Sequence, residues 1–400
     1  MDHHHRAVVI GAGVGGLTAA AALHQQGWSV TVLERAATLE AVGAGIALAA
    51  NAQRALDVIG LGREVRALDA WHTDGGLRTP RGRWLSRTDS QAAARRYGDP
   101  IVLLHRATLI GLLLSRLPEG TVVTGTAATL IDPGAAEHPA RVGAGDQEFE
   151  ADLVIGADGI NSRTRAVLFP GHPGPVYTGR TSWRVVVPAL DRTFLPHETW
   201  GRGMMWGSQP LKDGRVYAYA AATAPPGGHA VDERAELRRR FGNWHRPVPD
   251  ILDAADPAAV LRHDIHAMTT PLPAYHRGRT VLLGDAAHAM PPNLGQGGNQ
   301  AIEDAVVLAH HLADGNPPGA ALAAYTRDRL PRTMGVVRRS LRAGRLATMD
   351  SLPGVLLRNG AFTAAALLAP GAALRALDGI ADWAPPNRPR ATGGPARTHA

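Results

Sequence analysis

Three glycines near the start of the chain have the spacing that lets a backbone loop bind a pyrophosphate. Gly11, Gly13 and Gly16 follow the pattern Gly-x-Gly-x-x-Gly, and Glu34 comes eighteen positions after the last of them. The first glycine permits a tight turn, the second lets amide groups approach the phosphates, and the third lets the next helix pack closely. A carboxylate such as Glu34 accepts hydrogen bonds from both hydroxyl groups of a ribose. These residues predict a dinucleotide site, and the free 2′-hydroxyl points to FAD or NAD rather than NADP.

A strand, a helix and a second strand are needed to hold this loop, and the flanking sequence predicts all three. The apolar run 7–10 is typical of a buried parallel strand. A helical stretch covers residues 17–26 and Gly27 ends it, while residues 29–33 are predicted to form the second strand. The helix N-terminus adds free N–H groups beside the phosphates. Residues 42–48 form another small-residue loop, which the sequence alone does not distinguish from an ordinary one.

Two later segments place acidic residues after predicted strands. Residues 151–162 are predicted to form a strand, an Asp158-Gly159 turn and a helix. Residues 281–288 deliver Asp285 at the carboxyl end of a strand, where ligands of parallel sheets bind. A glycine-rich turn over residues 291–299 then opens a helix with an anion-attracting N-terminus. Both segments are candidate cofactor contacts.

The middle of the chain has a different pattern. Residues 181–187, 204–209 and 215–220 are predicted to be strands, and the turn 210–214 joins the last two as a hairpin. Alternation puts Met204, Trp206 and Ser208 on one face of the first hairpin strand, and Tyr217 with Tyr219 on one face of the second. These aromatic residues are either substrate contacts or packing between sheet and helices.

Composition excludes several classes of protein. The 400 residues are 45% hydrophobic and 19% charged, so the chain can bury a large core. No apolar run approaches the ~20 residues of a spanning helix, and the N-terminus has no signal-peptide pattern. The absence of cysteine excludes disulfides, thiolate metal sites and a flavin joined through cysteine. We expect a cytoplasmic protein without integral membrane association, acting as a monomer or homodimer.

The formal charge of +7 does not indicate nucleic-acid binding. Almost all of the basic residues are arginines, because Lys212 is the one lysine, and they are scattered apart from a modest cluster over residues 338–345. We therefore expect no nucleic-acid partner. The histidines at positions 3–5 are interpreted as a tag remnant or a solvated terminus, and we expect no metal site.

Taken together, the ordered motifs over residues 6–330 resemble the class A flavoprotein monooxygenases, the family of parahydroxybenzoate, salicylate and urate hydroxylases. The shared motifs are the glycine fingerprint, Glu34-Arg35, His105-Arg106, Asp158-Gly159 and Gly284-Asp285. The resemblance implies non-covalent FAD. The cofactor-binding residues that it implies are Gly11, Ala12, Gly13, Val14, Gly15, Gly16, Glu34, Arg35, Gly45, Arg106, Ala127, Asp158, Asp285, Gly295, Gly297, Gly298 and Asn299.

The same resemblance implies an α/β fold in which a Rossmann-like FAD-binding domain of the glutathione-reductase type is interleaved with a β-sheet substrate domain and followed by a C-terminal helical region. The expected FAD-binding parts are residues 1–72, 98–175 and 276–330, and the expected substrate-domain parts are 73–97 and 176–275, with a helical cover and tail over 331–400. The substrate residues that it implies are Trp206, Ser208, Tyr217, Tyr219 and Pro292, with Tyr217 as the catalytic candidate. His288 is interpreted as structural rather than as a base.

Family chemistry implies that NADH or NADPH reduces the flavin transiently, that O₂ adds at its C4a atom, and that one oxygen enters an electron-rich aromatic ring. A phenolic or polycyclic natural-product-like substrate is the first choice. Epoxidation of an alkene, and a reductase or dehydrogenase without oxygen insertion, stay open as alternatives. A halogenase is disfavoured because Lys212 lies in the predicted hairpin turn rather than near the flavin, and the Trp-x-Trp-x-Ile-Pro motif is absent.

One further expectation concerns the wall of the substrate site. In the parahydroxybenzoate hydroxylases an arginine two residues after a serine binds the substrate carboxylate. If Ser208 matches that serine, Pro210 replaces the arginine and offers no donor. This alignment predicts a neutral or larger aromatic substrate rather than a small benzoate. The alternative is that Arg184, Arg202 or Arg215 reaches inward from a neighbouring position.

Overall fold

A computed structural model of the protein describes residues 5–39, 45–69, 74–313, 318–368 and 374–386. Its strands in chain order are β1 Arg6–Ile10, β2 Ser29–Leu33, β3 Gly45–Leu48, β4 Gly75–Arg78, β5 Trp84–Thr88, β6 Val102–His105, β7 Val122–Val123, β8 Ala128–Asp132, β9 Ala140–Ala144, β10 Gln147–Ala151, β11 Leu153–Gly156, β12 Val176–Val187, β13 His197–Trp200, β14 Met204–Pro210, β15 Val216–Thr223, β16 Leu261–Ala267, β17 His276–Arg277 and β18 Thr280–Leu282.

The α-helices in chain order are α1 Val14–His24, α2 Ala50–Val58, α3 Gly62–Asp69, α4 Ser90–Tyr97, α5 Arg106–Leu114, α6 Arg163–Leu168, α7 Glu233–Phe241, α8 Val248–Ala254, α9 Asp285–His288, α10 Gly297–Leu312, α11 Pro318–Ala347 and α12 Leu352–Leu368. No helix among the described residues is both long and apolar enough to cross a membrane.

A mostly parallel sheet carries the glycine loop. Within the described residues its strand order is β17-β18-β11-β1-β2-β7, and β1 pairs in parallel with both β2 and β11. Residues 7–10 are buried, as their continuous apolar run predicts for a strand covered on both faces. Because the chain turns to opposite sides of β1, the crevice at the carboxyl ends of β1 and β11 is the expected ligand position.

A short antiparallel pair lies beside this sheet. The sequence suggested only a small-residue loop over residues 42–48, but residues 45–48 form β3 because β6 pairs with them from Gly45 opposite His105 to Leu48 opposite Val102. Residues 42–44 lie outside the described residues. Strand β3 leads into α2, so the pair brings Gly45 towards the glycine loop.

A second, larger sheet has the order β16-β12-β15-β14-β13-β4-β5. Strands β4 and β5 come from the segment expected as an insertion, and they join this sheet at its edge through β13. One face of the sheet packs against α7 and α8 in a core that includes Trp183, Trp206 and Phe241. The other face is therefore the one that can border a site shared with the parallel sheet.

Two long helices, α11 and α12, form most of the C-terminal region that the structure describes. The C-terminal helical cover was expected to begin at residue 331, and α11 runs from Pro318 through Pro331 to Ala347. A proline removes one helical hydrogen bond, and the buried side chains of Arg329 and Thr333 keep the helix packed on both sides of it. The predicted α/β architecture with two kinds of sheet and a C-terminal helical region is confirmed.

Candidate active site

The glycine loop between β1 and α1 is so closely packed that two of its positions have no room for a side chain. Gly11 has φ +106°, and a Cβ atom there would lie 2.5 Å from the carbonyl oxygen of Ala157. A Cβ atom on Gly16 would lie 2.0 Å from the Gly11 carbonyl oxygen. Both positions therefore require glycine. At Gly13 the nearest atom to a Cβ would be Arg106 Nη2 at 3.8 Å, so this side of the loop stays open.

Glu34 fixes the end of β2 to this loop. Its carboxylate accepts a hydrogen bond from the Ala12 amide at 2.8 Å and another from the Ala36 amide at 2.9 Å. The Glu34 carbonyl oxygen accepts from the Thr126 amide at 2.7 Å. The carboxylate therefore lies at the mouth of the glycine loop, on the side away from β11.

A cavity of about 690 Å³ opens from the glycine loop. Gly284, with φ +61°, turns the chain so that Asp285 follows β18 at the cavity wall. The Asp285 side chain remains accessible from the cavity. Burial within the protein raises the pKa of Asp285, and the nearby His288 and Arg106 act in the opposite direction.

The N-terminus of α10 borders the same cavity. Gly295, Gly297 and Gly298 line it, and the free N–H groups of the first helical turn carry the positive end of the helix dipole. Asn299 holds this turn in place, because its side chain accepts from the Ala49 amide and donates to the Ala47 carbonyl oxygen, both at 2.9 Å. The helix therefore presents backbone donors at a fixed position.

The Asp158 carboxylate makes hydrogen bonds to the protein and does not line the cavity. Its carboxylate accepts from the Ser162 hydroxyl at 2.5 Å and from the Thr164 amide at 3.0 Å. These contacts hold the start of α6, and Gly159, with φ +78°, is the residue of this turn that borders the cavity.

A buried ion network supports the turn between β18 and α9 that carries Asp285. Asp304 accepts from Arg329 Nε at 2.6 Å and lies 2.5 Å from His288 Nε2, and all three side chains are almost fully buried. Arg329 also donates to Glu303 at 2.6 Å. His288 is thus held by Asp304, which agrees with its interpretation as a structural residue.

The opposite wall of the cavity is a row of residues across four strands of the larger sheet. Arg184 on β12 pairs with Tyr219 on β15, Tyr219 pairs with Gly207 on β14, and Gly207 pairs with Glu198 on β13. The side chains of Arg184, Tyr219 and Glu198 all line the cavity. Tyr217 lies next to this row, where its Cδ1 atom would be 3.4 Å from a Cβ atom on Gly45.

Glu198 and Tyr219 form a hydrogen-bonded pair in this wall. The Tyr219 hydroxyl donates to Glu198 Oε1 at 2.7 Å, and Trp200 Nε1 donates to Glu198 Oε2 at 2.8 Å. Burial raises the pKa of the Glu198 carboxyl, while these two hydrogen bonds oppose the rise. Burial, followed by the adjacent carboxylate, raises the pKa of Tyr219 well above its ordinary value.

Comparison with known proteins identifies what this architecture is. The family model described as "FAD binding domain" matches residues 4–340. The "Aurachin C monooxygenase/isomerase" of Stigmatella aurantiaca is 38% identical over 347 residues, which cover 86% of this chain and 90% of that protein. The chain belongs to the class A FAD-dependent monooxygenases. This confirms the predicted family and cofactor: the monooxygenase uses FAD, with NADH or NADPH as the reductant typical of the family, and inserts oxygen into aromatic substrates.

Two further comparisons agree with this family. The "3-amino-4-hydroxybenzoate 2-monooxygenase" of Streptomyces cremeus is 37% identical over 376 residues, covering 88% of this chain and 89% of that protein. The crystal structure of Klebsiella pneumoniae HpxO complexed with FAD and uric acid superposes with a TM-score of 0.83 at 28% identity, covering 91% of this chain and 94% of that one.

The residues of the cavity fit FAD chemically. Asp285 presents a carboxylate that can accept from sugar-like hydroxyl groups, and the first turn of α10 presents N–H donors to an anionic ring. The glycine loop leaves Gly13 open beside the Arg106 guanidinium, as a pyrophosphate requires. Among the described residues, no group of three or more His, Asp or Glu side chains could hold a metal ion.

The monooxygenase brings most of the predicted site residues to one cavity. The predicted residues that line it are Gly13, Val14, Gly15, Gly16, Gly45, Arg106, Asp285, Gly295, Gly297, Gly298, Tyr217, Tyr219 and Pro292. The predicted residues that do not line it are Gly11, Ala12, Glu34, Arg35, Ala127, Asp158, Asn299, Trp206 and Ser208. Arg35 and Ala127 are exposed near Glu34, at the outer end of the glycine loop.

Trp206 and Ser208 were predicted as substrate contacts, and the structure corrects this. Trp206 donates to the Ser208 hydroxyl at 3.0 Å and packs against Phe241 with ring centroids 5.3 Å apart, on the face covered by α7 and α8. The register pairs Tyr219 with Gly207 and Tyr217 with Gln209, so the odd-numbered residues of β14 share the tyrosine face. Alternation within one strand does not reveal which of its faces borders the cavity.

The argument from Pro210 fails for the same reason. Pro210 is two residues after Ser208, so both lie on the same face of β14, away from the cavity. The alignment in which Pro210 replaces a substrate-binding arginine therefore does not describe the cavity wall. Arg184 on β12 supplies a guanidinium at that wall instead.

Sequence analysis did not select Glu198 or Gln209, both of which line the cavity. Glu198 lies on the four-residue strand β13, which was not predicted, because a strand this short has no measurable alternation. Gln209 pairs with Tyr217 in the hairpin. Knowledge of this register would have placed Gln209 on the tyrosine face, and alternation alone did not provide it.

Proposed function

We propose that this monooxygenase hydroxylates an aromatic or heteroaromatic ring that carries a hydroxyl group and an anionic or strongly polar substituent. One observation supports this most directly. The residues expected to bind FAD and the row formed by Arg184, Tyr219 and Glu198 border the same cavity. A ring lying between these walls meets a cation at one end of the row and hydrogen-bond acceptors at the other.

Arg184 is the group that would bind the anionic substituent. Among the described residues, its guanidinium has no ion-pair partner. Burial raises the pKa of Tyr217, and the positive charge of Arg184 acts to lower it, which places Arg184 close to the cavity tyrosines. An unpaired guanidinium in a partly enclosed wall favours a carboxylate or enolate partner. The relative named for 3-amino-4-hydroxybenzoate acts on a ring with a hydroxyl and a carboxylate group. The HpxO structure holds uric acid, a polar heteroaromatic molecule with acidic ring N–H groups.

For the cofactor, we propose that Glu34 binds the adenosine ribose, Arg106 the pyrophosphate and Asp285 the ribityl chain. The backbone from Gly295 to Asn299 would face the pyrimidine part of the ring. When bound, FAD supplies the electron transfer from NAD(P)H and the activation of O₂. Met205 and Leu103 contribute apolar walls that limit water at the reacting carbon. We propose a cytoplasmic enzyme that acts as a monomer or homodimer.

A defined ligand panel tests this function. The panel contains 3-amino-4-hydroxybenzoate, 3-hydroxybenzoate, 6-hydroxynicotinate, uric acid and a hydroxyquinoline, each assayed with NADH and with NADPH. At least one member is expected to accelerate NAD(P)H oxidation and to yield a product with one added oxygen atom. Oxidation of NAD(P)H without any oxygenated product from the panel would contradict the proposed substrate class.

A further inference from the structure

The side chain of Tyr219 crosses β14, the strand that lies between Tyr219 and Glu198. A Cβ atom on Gly207 would lie 2.1 Å from Tyr219 Cζ, so the tyrosine ring lies directly over the glycine. Any side chain at this position would push the ring off the sheet. The glycine therefore allows Tyr219 to reach across β14 and donate to Glu198 on β13.

This contact determines what the Tyr219 oxygen can offer to the cavity. A phenolic hydroxyl has one proton to donate, and Tyr219 donates it to Glu198 at 2.7 Å. One of its lone pairs accepts a long hydrogen bond from Gln209 Nε2 at 3.5 Å, and the other remains available. Tyr219 therefore presents an acceptor to a ligand in the cavity.

Neighbouring atoms strengthen this acceptor character. Gln209 Oε1 is a buried oxygen without a hydrogen-bond partner among the described residues, and Gln209 lines the same cavity. The Glu198 carboxylate lies behind Tyr219 and makes its oxygen more electron-rich. A ligand that binds here must bring a donor, and a ring hydroxyl or ring N–H is the donor that an aromatic substrate carries.

We propose that Tyr219 accepts the proton of the substrate's ring hydroxyl while it passes its own proton to Glu198. The substrate O–H bond breaks and its electron pair stays on the ring oxygen, which becomes anionic. A new O–H bond forms on Tyr219, and the former Tyr219 proton forms an O–H bond to Glu198, which becomes neutral. Nothing is oxidised or reduced in this step. The anionic ring oxygen raises electron density at the ring carbons that receive oxygen.

Two roles follow from this arrangement, and both rest on the proposed function. Tyr219 is a catalytic residue because it touches the substrate, and Glu198 is a positioning residue and proton reservoir that acts through it. The increase that burial causes in the pKa of Glu198 favours its holding a proton. Arg184 lies at the other end of the same row, next to Tyr219 on the neighbouring strand. Its positive charge would stabilise the negative charge that develops on the substrate ring.

The test uses the FAD-loaded enzyme and the panel member that it turns over fastest. Glu198→Gln removes the proton reservoir, and Tyr219→Phe removes the acceptor. The control is Thr199→Ser, which lies next to Glu198 on β13 but whose hydroxyl contacts His245 Nε2 at 2.9 Å away from the row. FAD content is measured for each variant so that a folding defect is recognised.

In the wild-type enzyme we expect kcat to be nearly constant from about pH 6.5 to 8.5, because Glu198 takes up the proton internally. In Glu198→Gln the proton has to leave to solvent, so kcat should be about 100-fold lower at neutral pH and should rise with pH. KM should change much less than kcat, and Thr199→Ser should follow the wild-type profile. A Glu198→Gln profile parallel to that of the wild type would overturn the proposal.

A second measurement needs no variant. The hydroxyl ligand and its methyl ether, for example 3-hydroxybenzoate and 3-methoxybenzoate, are compared by their perturbation of the flavin spectrum. We expect the hydroxyl form to bind at least about 10-fold more tightly, as a charge-assisted hydrogen bond implies. Equal affinities would overturn the role of the Tyr219–Glu198 pair alone, whereas turnover of no panel member would overturn the proposed function and this inference with it.

Discussion

Asp304 accepts a hydrogen bond from the Gly284 amide at 2.9 Å, and this contact ties α10 to the residue that precedes Asp285. The same carboxylate is held by His288 and Arg329 in the buried network. The wall of the cofactor cavity is therefore stabilised by charges that lie wholly inside the protein. A shift of the backbone at Gly284 would therefore break a contact of this buried network.

The first prediction compares two Asp–His pairs that differ in burial. Asp304→Asn removes the buried negative charge that His288 and Arg329 contact and leaves Arg329 with Glu303 as its carboxylate partner. Because a buried pair is broken, we expect a loss of ~3–5 kcal/mol in the free energy of unfolding. Asp328→Asn breaks the exposed contact with His311, which is 2.8 Å long, and should cost less than ~1 kcal/mol. Urea unfolding of both variants measures the difference, and equal losses would contradict the importance of burial.

The same pair predicts a pH dependence of stability. Although burial alone would raise the pKa of Asp304, the charges of His288 and Arg329 hold it well below its usual range. A carboxylate with a depressed pKa contributes stability above its unfolded-state pKa of about 3.9, and this contribution is lost as pH falls further. Wild-type stability should therefore drop below about pH 4 more steeply than that of Asp304→Asn. Parallel curves in acid unfolding would count against this.

Asp285→Ala should weaken FAD binding without unfolding the protein. Losing a hydrogen bond to a charged group costs ~1.5–3 kcal/mol, which corresponds to an affinity lower by about 10- to 150-fold. FAD released by acid precipitation of the wild type, and titrated back into apoprotein, gives the affinities. Asp213→Ala, which removes an exposed carboxylate paired with Arg215, is the matched control. An unchanged FAD affinity in folded Asp285→Ala would remove this role.

Arg184→Met tests the anionic substituent. The affinity for 3-hydroxybenzoate should fall by about 10- to 150-fold, while the affinity for neutral 3-hydroxybenzamide should stay nearly the same. The control Arg215→Met removes an exposed arginine that is paired with Asp213 in the hairpin turn. Flavin difference spectra give both affinities, and an equal loss for the acid and the amide would show that Arg184 does not recognise charge.

The glycine loop and the cofactor strands could be predicted because their residues are determined locally. Gly11 and Gly16 have no space for a Cβ atom, and the run 7–10 is buried on both faces, so both features leave a pattern in the sequence. The strand that delivers Asp285 is equally local. The substrate wall is different, since it depends on how strands distant in the chain pair with one another.

Trp206 and Glu198 show why the wall could not be predicted fully. The period of two placed Trp206 and Ser208 on one face, but only the packing of α7 and α8 decides that this face is covered. Glu198 enters the site because β13 pairs with β14 opposite Gly207, a contact that no short-range pattern encodes. Pro331 lies inside α11, where tertiary packing on both sides tolerates the helical hydrogen bond that a proline removes.

Gly207→Ala tests the geometry of the wall directly. The added Cβ would meet Tyr219 Cζ at 2.1 Å, so the ring should move away from Glu198 and the hydroxyl ligand should lose its advantage over its methyl ether. FAD affinity should be retained. Gly111→Ala, where nothing lies within 4 Å of the added atom on α5, should leave ligand binding unchanged and stabilise the protein by ~0.5–1 kcal/mol. A Gly207→Ala enzyme with wild-type ligand selectivity would disprove the contact.

The most direct test of the central claim is the fate of molecular oxygen. The FAD-loaded enzyme is incubated with NADH or NADPH, the best panel substrate and oxygen-18 gas, and the product is analysed by mass spectrometry. One oxygen-18 atom is expected in each product molecule, with one NAD(P)H oxidised per product. Product that carries oxygen from water, or NAD(P)H oxidation with no labelled product, would contradict the assignment of an aromatic monooxygenase.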